Sequence, residues 1–133
     1  MTTEPTSFSR ERPKRRARRK SRAARRSKDH HNVYVVELDP EVAKIRKVLA
    51  ANPNRDPQKP CVYVGLTGLT PEERFANHKA GVKAASVVKR YGFRLLPELY
   101  AHLNPMPYQA AVQMEKDLAE DLRREGYTVT GGH

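Results

Sequence analysis

The sequence predicts an α+β domain, a small sheet with helices packed against it, behind a basic N-terminal arm. Three observations predict it. Two β-branched and aromatic stretches, "NVYVVEL" and "CVYVGLT", have strand composition. Several other stretches carry apolar residues at helical spacing between recognisable caps and glycine stops. The strands are too few for a doubly wound nucleotide-binding sheet. A chain of 133 residues suits one domain with one modest core.

Charge divides the chain. Residues 1–30 hold 12 Lys or Arg against 3 acids, a net of +9, whereas residues 31–133 hold 14 against 12, a net of +2. The basic character therefore belongs to the arm, residues 1–30, and the domain over 31–133 is nearly neutral. "RPKRRARRKSRAARRSK" has nothing to build a core with and is expected to be disordered when free. Such an arm suits nucleic acid, where Arg15, Arg16, Arg18, Arg19, Lys20, Arg22, Arg25 and Arg26 would displace counterions from phosphates. Another polyanion would attract it as well, and an arginine-rich N-terminus also fits an organellar targeting segment. No apolar run approaches a membrane span and no secretory signal is visible, so the expectation is a cytoplasmic chain without a membrane partner. It is also expected to be a monomer. Cys61 is the single cysteine, expected as a buried, inert thiol.

Within the domain, "NVYVVEL" is apolar on both faces, as a central strand requires. In "DPEVAKIRKVLAA", Asp39 can cap, Pro40 suits the first turn, and Val42, Ile45, Val48 and Leu49 recur at helical spacing, so one helix is expected. "NPNRDPQKP" is turn-rich, and "CVYVGLT" follows as the second strand. The next helix is strongly signalled: Thr70 caps, Pro71 fits the first turn, Glu73 completes a capping box, and Gly81 ends it. "AASVVKRYG" reads as a short helix, and "FRLLPELY" as a third strand or extended edge interrupted by Pro97. A long helix is expected over about 107–125, stopped by Gly126, with "YTVTGG" as a short extension.

Some polar positions do not fit a plain core. At about 100° per residue, Glu115 falls in the middle of the long helix's apolar arc, among Ala111, Leu118, Ala119, Leu122, Tyr108 and Met114. A buried carboxylate there needs an ion pair, an escape to water, or a role lining a cleft. Arg74 and His78, four apart, share a helix face beside Phe75. Tyr34 and Tyr63 each sit on a strand, and a buried tyrosine needs a partner for its hydroxyl. Gly65 serves either a turn or a close backbone approach. His30, His31, His102 and His133 make no metal-ligand spacing.

From about His31 to Gly132 these residues resemble the GIY-YIG nuclease domain family. "NVYVV" stands as a degenerate first motif containing Tyr34, without its glycine. "YVGLTGLTPEERFANH" resembles the second motif and the helix after it, with Tyr63 and Gly65 in the motif. Arg74 matches the catalytic arginine, His78 the position filled by histidine or tyrosine, and Glu115 the metal-holding glutamate of the later helix. The segment between the two motifs is longer than the family's. The resemblance implies a small, mostly antiparallel three-stranded sheet flanked by helices, and phosphodiester cleavage, in DNA, with one Mg²⁺ or Mn²⁺ ion on Glu115. It implies Tyr34 as general base with Tyr63 orienting it or the water, Arg74 stabilising charge on the phosphate, and Gly65 close to substrate; His78 is a rival base. The alternative is a nucleic-acid-binding or adaptor module that keeps the fold without turnover.

Overall fold

A computed structural model describes residues 29–133. The Lys/Arg-rich run of the arm, including every arm residue named above, lies outside the described residues. Strand β1 (Asn32–Leu38) is central, as its composition requires: Val33, Tyr34, Val35, Val36 and Leu38 are all buried. It pairs antiparallel with β2 (Cys61–Thr67) over its full length, Tyr34 opposite Gly65 and Val36 opposite Tyr63. Each fully buried valine of this pair contributes about 1.5–3 kcal/mol by leaving water.

The sheet has four strands, not the three expected. Its order is β3-β1-β2-β4, where β3 (Gly92–Leu95) runs antiparallel to β1 and β4 (Thr128–Gly131) runs parallel to β2. Only four residues of "YTVTGG" become strand, too few for periodicity to declare itself. What makes them a strand is the preceding helix, which returns the chain alongside β2.

The helices are α1 (Arg46–Ala51), α2 (Pro71–Ala80), α3 (Ser86–Tyr91) and α4 (Tyr108–Arg124). The single helix expected after Asp39 is broken. Asp39 does cap, accepting from the Glu41 N–H at 2.8 Å, but Pro40–Lys44 form a 3₁₀ turn and Ile45 is extended before α1 begins. The capping box of α2 is complete: Thr70 Oγ1 accepts from the Glu73 N–H at 3.1 Å, and Glu73 Oε1 accepts from the Thr70 N–H at 3.0 Å. Gly81 ends α2 in the left-handed conformation, φ 83°.

Two asparagines satisfy backbone that neighbouring strands leave unpaired. Beyond the end of β3, Val33 on β1 donates its N–H to Asn104 Oδ1 at 2.9 Å, and its carbonyl accepts from Asn104 Nδ2 at 2.8 Å. On the opposite edge Asn52 treats Val129 of β4 the same way, at 2.9 and 3.0 Å. A carboxamide carries one donor and one acceptor in the geometry of a peptide, so each asparagine stands in for a missing strand. Asn52 is itself buried.

Candidate functional site

On β1 and β2 the directly opposed residues share a face, so Tyr34, Val36, Tyr63 and Gly65 all point to one side of the sheet. Helix α2 lies on that side and brings His78 against Tyr34: His78 Nε2 and Tyr34 Oη are 2.8 Å apart in a buried contact. The Tyr34, Tyr63 and His78 rings pack mutually, with centroids 5.8–6.1 Å apart. Gly65 permits this. A Cβ there would stand 2.7 Å from Tyr34 Cζ and Oη and 2.9 Å from Tyr63 Cε2, so any larger residue displaces both rings.

The hydrogen bonds of His78 decide its tautomer. Nδ1 lies 3.1 Å from the Ala85 N–H, which can only donate, so Nδ1 accepts. The neutral ring therefore carries its proton on Nε2 and donates to the Tyr34 oxygen. His78 is fully buried, and burial, with the Arg74 charge adding to it, pushes its pKa down to about 4. At neutral pH its Nε2–H is directed at Tyr34 and its acceptor nitrogen is occupied by the Ala85 N–H.

Arg74 stands one turn before His78 on α2. Its guanidinium donates to the carbonyls of Val82 (3.3 Å) and Lys83 (2.8 Å), tying down the loop between α2 and α3. The same charge acts on both phenols, opposing the rise in their pKa, but burial dominates and raises Tyr34 and Tyr63 alike. Each phenol also raises or is raised by a neighbour: Tyr63 acts on Tyr34, and the Glu115 carboxylate acts on Tyr63. Tyr34 as a base would require the opposite shift. Its phenolate is less accessible than in free tyrosine.

Glu115 is buried, 6% exposed, on the sheet-facing side of α4, and makes no salt bridge with another described residue. Burial raises its pKa, with His133 and Lys116 opposing. The expected metal centre is not what these donors form. Among the described residues no group of three or more His, Cys, Asp and Glu is arranged to hold a metal ion. A hard divalent ion needs several oxygen ligands, and Glu115 has no such group of donors around it among the described residues. The expectation of a Mg²⁺- or Mn²⁺-dependent endonuclease is corrected accordingly.

The structure thus brings Tyr34, Tyr63, Gly65, Arg74, His78 and Glu115 into one neighbourhood. The arm residues from Arg15 to Arg26 are outside the described residues. Some contributors carried little or no sequence signal. His133 reaches the surroundings of Glu115, and Gly131 crosses close to Tyr63, where a Cβ would meet Tyr63 Cε1 at 2.9 Å. The paired glycines of "TGGH" were the one hint. The Val82 and Lys83 carbonyls and the Ala85 N–H were illegible, because backbone groups have no sequence signature. Cys61 is buried and unpaired. No helix among the described residues is long and apolar enough to cross a membrane. No protein-family model matches the chain, and neither curated proteins nor solved structures give a match.

Proposed function

We propose that the chain is a non-catalytic nucleic-acid-binding module of GIY-YIG-like fold, acting as a monomer in the cytoplasm. The observation that carries this reading is the hydrogen-bond geometry of the cluster, in which the Ala85 N–H holds His78 Nδ1 and Tyr34 takes the other ring nitrogen's proton. His78 Nε2–H is a fixed donor, both phenols are held neutral, and Arg74 adds one permanent charge beside them. With His78 and Tyr34 buried against each other, the half-buried Tyr63 and Arg74 are the members that offer a hydroxyl and a charge to a phosphate. The arm supports the same reading, with 12 Lys or Arg in residues 1–30 next to a domain of net +2. In this reading the arm supplies affinity that depends on salt, and the cluster orients the backbone it holds, with DNA as the ligand.

The test is anisotropy of labelled DNA oligonucleotides against the full chain over a range of salt concentrations. The expected log–log slope is steep. Replacing Arg18, Arg19, Arg22, Arg25 and Arg26 by glutamine lowers its magnitude by up to about 4.5 on a duplex, near 0.9 per lost phosphate contact. Arg74→Gln weakens binding with a smaller change in slope. Absent binding at low salt, or binding indifferent to both salt and the arm substitutions, refutes the proposal.

A further inference from the structure

The arm joins the domain at a fixed point. His31 forms an isolated antiparallel bridge with Met106, its N–H donating at 3.0 Å and its carbonyl accepting at 2.9 Å. The Asn32 amide donates to the Leu69 carbonyl at 2.9 Å. His30 Nδ1 lies 3.3 Å from the Gly68 carbonyl, which can only accept, so that nitrogen carries the proton. Four interactions therefore hold residues 30–32 against two loops.

At this anchor three rings meet. His30 and His31 have centroids 4.2 Å apart, and Tyr108 packs its edge on His31 at 5.1 Å. Gly68 lies beneath the histidines, close enough that a Cβ would touch both rings at 3.5 Å. Tyr108 is 53% exposed although it belongs to the apolar stripe of α4. It precedes Glu115 by seven residues, about 10 Å along the helix and on nearly the same side. His31 precedes Tyr34 by three residues along the strand, about 10 Å, an odd step that puts its side chain toward the other face of the sheet. The rings stand where the chain enters β1 and at the first residue of α4. Among the described residues the one ring contact of Tyr108 is with His31.

We propose that His30, His31 and Tyr108 form a stacking platform for an unpaired base, so that the nucleic acid bound is single-stranded. This rests on the nucleic-acid-binding reading above and specifies its ligand. Charge complementarity selects the occupant, since the chain entering this surface carries a net of +9. A strand attracted by its phosphates arrives there with bases whose π-faces any aromatic ring can stack, whereas bases inside a duplex are already stacked. Burial and the neighbouring His30 hold His31 below the usual histidine range, which keeps its ring neutral at pH 7.

Anisotropy with the full chain, comparing labelled oligodeoxythymidine with an abasic strand of equal length, tests this. The two probes carry the same phosphates and differ only in bases. The wild type is expected to bind oligodeoxythymidine about tenfold more tightly. Tyr108→Ala removes most of that preference while leaving abasic affinity and its salt slope unchanged, which also reports that the variant is folded. Tyr108→Phe retains the preference. Equal affinity of the wild type for both probes overturns the platform and leaves the phosphate-binding reading standing; so does an equal loss on both probes in Tyr108→Ala. If the wild type binds neither probe, the underlying reading falls with it.

Discussion

Acid should unlock this domain through His78. In the unfolded chain the imidazole takes up a proton near its ordinary value of 6.5; in the folded domain it does so only near pH 4. Between these values the unfolded state binds more protons, so stability rises with pH and is lost as pH falls through that window. The full difference is worth about 3 kcal/mol, at about 1.4 kcal/mol for each tenfold change in proton affinity. The physical source is specific. Protonation would put a charge in a fully buried site beside Arg74 and would break the bond in which Nδ1 accepts from the Ala85 N–H. Two other groups act in the same pH range. His31 is also depressed and adds to the loss, whereas Glu115, held above the ordinary carboxylate range, is relieved by protonation and opposes it. The comparison that isolates His78 is therefore wild type against His78→Gln, which cannot titrate. Urea unfolding followed by far-UV circular dichroism, at steps from about pH 7 to pH 4, should show a steep fall in wild-type stability and a shallower one in the variant. Parallel pH profiles for the two proteins would refute the tautomer and burial argument.

Three further outcomes follow from particular contacts. Asn52→Leu should lower unfolding free energy by about 3 kcal/mol, because both polar groups of Val129 lose their partner at a buried edge; an unchanged urea midpoint would contradict this. Gly65→Ala should cost about 1–3 kcal/mol through displacement of the Tyr34 and Tyr63 rings, and should weaken DNA binding in anisotropy; wild-type stability and affinity together would show the cluster to be looser than described. Glu115→Gln keeps the shape and removes a carboxylate that burial disfavours. At pH 7 its urea midpoint should equal or exceed that of the wild type, and a clear loss of stability would reveal a charged partner for Glu115.

The candidate site was legible because side-chain types at helical and strand spacing survive in one dimension. Glu115 stood out as an acid inside an apolar arc, and Arg74 and His78 as a pair on one face, and all three converge with the tyrosines. Their chemistry was not legible. A free phenol or imidazole has a known proton affinity, but the direction in which a protein moves it depends on neighbours supplied by other elements. For His78 the decisive neighbour is the Ala85 N–H, and for Tyr34 it is the depth of burial. The same limit explains Asn52 and Asn104. Each looks like an ordinary turn residue, and each earns its place from strand backbone 77 or 71 positions away.

By itself the amino-acid order determined the local elements and the partition of charge: the capped start of α2, the apolar central strands, the long helix with its acid, and the basic arm. These follow from forces acting within one or two turns, or from composition alone. Only the tertiary structure decided the fourth strand, the break at Ile45, the donor role of His78 and the lack, among the described residues, of a metal-holding group around Glu115. Those depend on which backbone groups and charges lie a few ångströms away, and that is set by contacts between segments far apart along the chain.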